Sequence, residues 1–425
     1  MPDLQVVPHD RRELLVIGTS VRKPKEILRF YLDALAWQER PAHLDVVFVF
    51  VDDGLEPDAR AMVDAFVQQH GGTVLDPVAK PLHPDFSDTH AVTHQWSPSA
   101  MQRVGANKDQ ILQVALQNRA DYVWLVDADL ICDRTTLVSL LSVPDPIVCG
   151  VYWTAWAKAP EGSPPVHAGP QVWLTHPYGL AGHGMQEWEF RKKLIDRQAV
   201  QVFGQGACTL IRRDALLKGV CFAPLPDNTG PGFMQGEDRH FCIRAERLHL
   251  RMTADAWIDA FHIYHRPDDE QLAPAMAARL GTPHPQKAMS PMDLVSLTLA
   301  PLEGVPTTQG YQRFPEQRVR GRLGALNLHP EIESAVLGMK RGESQIVPVH
   351  FPLSWPLPPY RGQRRLIRVT LHDTKPFQFP PVIDREILTS GHGWLDTTTF
   401  PPEAIKLIRE VHEPELEAVP EAVGI

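Results

Sequence analysis

Nowhere in the chain do about eighteen uncharged apolar residues run together, so no segment reads as a membrane-spanning helix. The first residues, MPDLQVVPHDRREL, lack an apolar stretch behind a basic one, and no secretion signal is expected there. Long basic runs are also missing. Lys and Arg number 42 against 51 Asp and Glu, a formal charge of −9, which argues against a nucleic-acid partner held by neutralising its phosphates. Cysteine is scarce: Cys132, Cys149, Cys208, Cys221 and Cys242 are odd in number and sit mostly in apolar runs, where a thiol acts as a small hydrophobe. That usage excludes a disulfide framework and fits a reducing, cytoplasmic setting.

What is present is globular in character. Hydrophobic residues make up 43% and charged residues 22% of the 425, enough apolar material for a real core. At roughly 150 residues per domain the length suggests two or three domains. Proline is over-represented, at 40 residues against the roughly 5% of an average protein, so many rigid loops are expected.

Apolar runs and helical spacings alternate over the first third of the chain. A strand is expected at 13–18, a helix at 24–37, a strand at 44–51, a helix at 57–69, a strand at 73–75, a helix at 107–118 and a strand at 122–126. The run LDVVFVFV at 44–51 is apolar at nearly every position, as in a strand covered on both faces by helices. This is the βαβ rhythm of a parallel sheet. Segments 76–102 and 159–186 are aperiodic and long for internal connections, and read as loops shaping a site or the surface. Segment 267–291 reads as a linker. From 292 the pattern changes to DLVSLTLAPL, a helix at 329–337, SQIVPVHF and RRLIRVTLHD, a small, mostly antiparallel α+β module extending to about 385. A tail over 386–425 carries one amphipathic helix and an acidic end.

The strongest chemical signal is YVWLVDADL, a buried strand delivering Asp127 and Asp129 at its carboxyl end, where open α/β sheets bind ligands. Residues i and i+2 of a strand share a face, so the two carboxylates can hold one Mg2+ or Mn2+ ion between them. Taken alone, such acids also serve as turn formers or helix caps. Downstream, AWIDAFHIYHRP places His262 and His265 on opposite faces of a strand-like segment. An imidazole complements two carboxylates on Mn2+; only one of the two histidines can face such an ion, with His262 placed ahead of His265 and a site with neither as the alternative. His83, His90 and His94 read as solvated loop residues, and Trp153, Trp156, Trp173 and Trp188 receive no role.

Four motifs give residues 12–266 a resemblance to the family 2 glycosyltransferases, which have the GT-A fold, a Rossmann-like nucleotide-diphospho-sugar transferase architecture. FVFVDDG resembles the second strand, and the resemblance implies that Asp52 and Asp53 meet the base and ribose of a nucleotide sugar. VGANKDQILQVALQNRADYVWLVDADL resembles the helix leading into the DxD strand, with Gly105 or Ala106 where the family has arginine. Arg103 and Lys108 are candidates for the missing charge, and Thr19 and Asn107 for donor contacts. GQGACTLIRRDAL resembles the small-residue turn near the acceptor, and GEDRHFCIRAERL the helix bearing the catalytic carboxylate, with His240 where a second acid is usual. The resemblance implies Asp238 as general base, with Glu237 orienting the acceptor. Capping of the helix dipole is the alternative role for both acids. The implied donor is a nucleotide diphosphate sugar, the cofactor Mn2+ or Mg2+, the reaction hexosyl transfer with inversion. A triphosphate-binding nucleotidyltransferase is disfavoured, because IGTSVRKP has one glycine and two basic residues.

Residues 292–375 resemble an FKBP-type prolyl isomerase domain, that of trigger factor in particular, through LGMKRGE followed by a strand and FP. Thr298 and Leu299 stand where the family has aspartate and an aromatic, so a binding or structural role is expected in place of isomerisation. Leu337, Val347 and Phe351 are expected in its core. Such a module implies polypeptide as a candidate acceptor, against the alternative that it covers the catalytic domain. A catalytically silent GT-A scaffold carrying a peptide-binding module is the contrasting functional expectation.

Overall fold

The computed structural model describes residues 12–78, 98–154, 169–174, 190, 193–194, 197–226, 236–263, 293–302, 305–307, 310–312, 316–323, 328–353 and 360–375. The chain divides into two compact units, Met1–Phe190 with Gln198–Thr282, and Arg191–Arg197 with Pro283–Ile425. Among the described residues no helix is long and apolar enough to cross a membrane.

The first unit opens with the expected alternation: β1 (Glu13–Val21), α1 (Lys25–Ala36), β2 (Leu44–Asp52), α2 (Pro57–His70) and β3 (Gly72–Leu75). Then come α3 (Pro98–Gln117), β4 (Tyr122–Val126), β5 (Leu130–Cys132), α4 (Thr136–Ser142), β6 (Ile147–Thr154), β7 (Gly169–Pro170) and β8 (Val172–Trp173). The unit continues with β9 (Ala199–Val202), β10 (Gly204–Gln205), β11 (Cys208–Arg212), α5 (Arg213–Leu217), α6 (Glu237–Arg247) and β12 (Met252–His262). The main sheet runs β3-β2-β1-β4-β11-β6-β12-β5, with β7 and β9 on its margins. It is mixed: β1, β2, β3 and β4 are parallel, β11 is inserted antiparallel between β4 and β6, and β12 pairs parallel with β6.

The order places a reversal at β1. From β1 the chain winds outward to β2 and β3, then returns through α3 to pair β4 on the other side of β1. The carboxyl ends of β1 and β4 therefore flank a topological switch point, the usual ligand crevice of an open α/β sheet. Beneath it lies a continuous core of Leu15, Ile17, Phe48, Phe50, Trp124, Val126 and Leu210 with Leu28, Tyr31 and Phe66 from the covering helices. Gly18 marks how closely α3 seats on β1: a Cβ there would stand 2.6 Å from the Val49 carbonyl oxygen and 2.8 Å from Ile111.

The second unit holds β13 (Leu294–Pro301), β14 (Val305–Thr307), β15 (Gly310–Gln312), β16 (Gln317–Arg322), α7 (Pro330–Val336), β17 (Ser344–His350) and β18 (Arg364–Lys375). Four strands form an antiparallel sheet in the order β16-β13-β18-β17. Its core includes Val347 and Phe351, as expected, with Leu297, Ile332, Val336 and Val369. Leu337 differs: it follows the last turn of α7 and is 40% exposed, because the stripe that faces the sheet ends at Val336. Thr298 is buried and shares a hydrogen bond with His372 (2.6 Å).

Candidate active site

The carboxyl end of β4 is held from three sides. The Tyr31 hydroxyl of α1 donates to the Val126 carbonyl (3.0 Å), the Asp127 amide donates to Ala207 (2.8 Å), and the Leu130 amide closes a tight turn onto Asp127 (3.1 Å). β12 then sets His262 against Leu130 across an antiparallel ladder, with the Ile263 amide on the Asp129 carbonyl (2.7 Å). Register alone thus brings His262 Nε2 to 3.4 Å from Asp129 Oδ2. On the same oxygen, at 2.6 Å, lies the ammonium of Lys23. Burial acts to raise the Asp129 pKa, but the charges of Lys23 and His262 outweigh it and hold the carboxyl well below its usual range.

α3 supplies the second half of the site. Its buried face is polar over the first turns, because Arg103, Asn107 and Lys108 line up with Ala100, Val104 and Ile111. Arg103 binds Asp53 through two nitrogens (2.7 and 3.2 Å), and the Asn107 amide donates to Asp53 (3.3 Å) and to Ser20 (3.0 Å). The Asn107 Oδ1 atom is buried with no hydrogen-bond partner.

One residue further along, Lys108 Nζ reaches Asp238 Oδ1 at 2.8 Å, Glu237 Oε1 at 3.1 Å and Asp127 Oδ1 at 3.8 Å, while only 3% exposed. Burial acts to lower its pKa, yet the surrounding carboxylates raise it well above the ordinary lysine value. Close approach of α3 and α6 requires Gly105: a Cβ there would stand 3.1 Å from the Glu237 Cβ and 3.3 Å from the Phe222 carbonyl. The glycine found where the family resemblance implies arginine is therefore a packing position.

Glu237 and Asp238 begin α6, where the helix dipole favours anions. Burial and the charges of Asp238 and Asp127 nevertheless push Glu237 up to about 7, with Lys108 acting in the opposite direction. Burial pushes Asp127 up to about 6; Lys108 opposes this, and Asp238 and Asp129 add to it. Asp238 Oδ2 lies toward Gly206, where an added Cβ would be 3.0 Å from that oxygen and 3.2 Å from the Tyr152 hydroxyl.

The Glu237 shift gives a stability prediction. Its folded pKa exceeds that of a free glutamate, so the folded state binds the extra proton between about pH 4.5 and 7, and Glu237 lowers stability as pH rises through that window. Glu237→Gln is therefore expected to gain melting temperature relative to wild type between pH 5 and 8. A difference that is flat or falls with pH in calorimetric melts would contradict the shift.

Asp127, Asp129, Lys108, Glu237, Asp238 and His262 thus come together, whereas the other candidates stand apart from this cluster. Asp52 accepts from the Gly54 and Leu55 amides (2.9 and 2.7 Å) and pairs with Arg60 (2.8 Å), so it shapes the turn after β2. Asp53 is sealed by Arg103, with both side chains buried. Thr19 is 1% exposed inside β1, and its neighbour Ser20 is the residue that meets Asn107. His265, His83, His90, His94, Trp156 and Trp188 lie outside the described residues, as does the side chain of Trp153. The sequence reading missed Lys23, Ser20 and Tyr152. Lys23 was not marked by the sequence, because the strand expected at 13–18 runs on to Val21 and so ends only two residues before it.

Among the described residues no group of three or more His, Cys, Asp or Glu side chains is placed so that it could hold a metal ion. The donor set nevertheless suits a divalent cation. Carboxylate oxygens and an imidazole are donor types that match Mn2+ or Mg2+, and the acids Asp127, Asp129, Glu237 and Asp238 lie around the two ammonium groups of Lys23 and Lys108. The obstruction is Lys23, which already occupies Asp129.

No protein-family model and no curated protein matches the chain. Among solved structures it is similar to S. aureus TarS 1-349, at 12% identity and a TM-score of 0.34, over 65% of this chain and 67% of that one. It is also similar to the mannosyltransferase PcManGT from Pyrobaculum calidifontis in complex with GDP-Man and Mn2+, at 15% identity and 0.33, over 62% and 59%. A third likeness is to GalNAc-T7 with UDP, GalNAc and Mn2+, at 10% identity and 0.37, over 64% and 48%. Against the longer TarS chain the match spans 39% of its length.

Proposed function

We propose that the first unit is a GT-A glycosyltransferase domain that transfers a hexose from a nucleotide diphosphate sugar to an acceptor hydroxyl, using Mn2+ or Mg2+. The observation that carries this is the convergence of Asp127, Asp129, Glu237 and Asp238 beside the switch point at β1, with His262 on Asp129. Asp127, Asp129 and His262 would hold the cation, whose Lewis acidity offsets the charge developing on the leaving diphosphate. The charges of Lys23 and His262 hold the Asp129 carboxyl well below its usual range, and Lys23 would have to leave it for the cation to bind.

Asp238 is the base. Lys108 engages its Oδ1, which leaves Oδ2 directed to the space beside Gly206, the position from which it takes the acceptor proton during in-line attack with inversion. Lys108 keeps Asp127, Glu237 and Asp238 from repelling one another and so holds the base in place. Arg103 and Asn107, through Asp53 and Ser20, lock α3 against β1 and β2 and thereby set where Lys108 stands. The roles assigned to Asp53 and Arg103 are accordingly positioning roles.

A second reading has an observation in its favour: Lys108 neutralises both acids at the start of α6, as it would in a silent scaffold. Nucleotide binding separates the two. A catalytic domain should show a rise in melting temperature with UDP, GDP or their sugars plus Mn2+, since a ligand specific for the native state stabilises it. No rise with any of them favours the scaffold.

For the second unit, the FKBP-like reading implies a surface for extended polypeptide. The open depression of about 590 Å³ between α7 and β17, lined by Glu331, Ala335, Val347, Pro348, His350 and Arg364, is where such a segment would be sought. Polypeptide bound there would raise the local concentration of acceptor for a tethered transferase.

A further inference from the structure

We infer that Tyr152 is an acceptor-binding residue: its phenol holds the oxygen of the acceptor hydroxyl against Asp238 Oδ2, in the notch that Gly206 leaves open. This deepens the transferase reading above and rests on it.

The notch exists because a side chain is missing. A Cβ on Gly206 would stand 3.0 Å from Asp238 Oδ2 and 3.2 Å from the Tyr152 hydroxyl oxygen, so both oxygens face one small space. Each lies at about hydrogen-bond distance from that point, and a ligand oxygen entering the notch meets both. The space is within reach of solvent: Gly206 is half-buried and the Asp238 side chain is 23% exposed.

The two groups are complementary in what they ask of a ligand. An ionised carboxylate accepts hydrogen bonds, whereas a phenol keeps its proton at neutral pH and can donate it. The Tyr152 oxygen accepts from the Ala207 amide at 3.4 Å, and among the described residues its own proton is given to no group. A hydroxyl satisfies this pair, sending its proton to Oδ2 and receiving the phenol proton on its oxygen. An ether or carbonyl would satisfy Tyr152 alone, and an ammonium Asp238 alone.

The phenol is also held in place before any ligand arrives. Tyr152 sits opposite Ala260 in the β6–β12 ladder, and its carbonyl accepts from the Gln171 amide (2.9 Å). Its ring meets the His262 ring edge-on, with centroids 5.7 Å apart and planes at 63°. The residue is 8% exposed, so its hydroxyl is fixed at little ordering cost on binding. In the transfer step, the acceptor oxygen bonds to the anomeric carbon as the bond from that carbon to the diphosphate oxygen breaks, and the electron pair leaves with the diphosphate. The acceptor proton passes to Asp238. Tyr152 keeps its own proton and directs the acceptor oxygen throughout.

The test uses the full-length protein with a panel of UDP- and GDP-hexoses, with water and glycerol as the acceptor probes. Tyr152→Phe removes one oxygen and keeps the ring against His262. Its turnover should fall about tenfold, the scale of one lost hydrogen bond, and its KM for glycerol should rise. Donor KM and the calorimetric affinity for UDP and GDP should stay within about twofold of wild type, and the melting temperature should match. Gly206→Ala is the second variant. The φ angle of Gly206 lies outside the left-handed region, so alanine is admissible there, yet its methyl would fill the notch. It should lower turnover at least as much with nucleotide affinity retained. Wild-type turnover in either variant overturns the inference and leaves the transferase reading intact. A fall in nucleotide affinity or melting temperature that parallels the fall in turnover of Tyr152→Phe assigns the residue to donor binding or to the scaffold, and also overturns it. A wild-type protein that turns over no donor overturns the transferase reading and this inference with it.

Discussion

Replacing Lys108 with methionine is expected to lower the melting temperature of the first unit by on the order of 10 °C at pH 8. The ammonium is the counter-charge nearest three acids, and Asp238, Glu237 and Asp127 would lose it together. Removing one partner of a buried ion pair costs about 3–5 kcal/mol, and in a unit of this size each kcal/mol is worth roughly 2–4 °C. The deficit should shrink on acidification. Lys108 holds down the pKa values of Asp127 and Glu237, which lie at about 6 and about 7 even in its presence. Without it both rise further, so lowering the pH toward 5 protonates them and removes the unpaired charge. Equal melting of Lys108→Met and wild type at pH 8 would mean that water and the α6 dipole satisfy the acids, and that Lys108 has no organising role.

The second large effect concerns the chemistry. Asp238→Asn is expected to reduce sugar transfer by about 10²- to 10⁴-fold, the usual range for loss of a general base, while nucleotide affinity stays within about twofold of wild type. The variant keeps the shape of the side chain and an oxygen facing Lys108 Nζ, so its melting temperature should change little. The split between turnover and nucleotide affinity is the informative readout. A parallel loss of nucleotide binding would place Asp238 in donor recognition instead.

The strands of the first unit were legible because parallel, doubly covered strands are written as nearly unbroken apolar runs, as in 13–18, 44–51 and 122–126. The run IVCGVYWT at β6 has the same signature and was open to the same reading. α3 shows where pattern reading fails. The helix begins at Pro98, nine residues before the expected start, because over 98–106 its buried face is Ala100, Arg103, Val104 and Gly105, two small residues and a charged one that give hydrophobic periodicity little to register. That irregularity belongs to the site itself, where local sequence rules are the first to give way.

Residue types in the site were also legible, whereas their partners were not. Two acids alternating at a strand end and two more at a helix start can be read from the sequence; that a lysine 129 positions before Glu237 joins them cannot. Asp53 illustrates the converse. It sits in the motif expected to meet a nucleotide base, yet its carboxylate is spent on a buried Arg103, a pairing that depends on how α3 crosses β1. Strand alternation separates His262 from His265 without choosing between them, and His262 stands on Asp129 because β12 pairs with β5 in that register.

The central claim is that Asp127 and Asp129 serve a metal-dependent transferase acting on nucleotide sugars. Its most direct test is hydrolysis and transfer across a panel of UDP- and GDP-sugars, with and without Mn2+, in wild type and in Asp127→Ala plus Asp129→Ala. The account predicts turnover of at least one donor by the wild type with Mn2+, near-complete loss on chelation, and no measurable turnover by the double variant. Full activity in the double variant, or turnover indifferent to chelation, would contradict it.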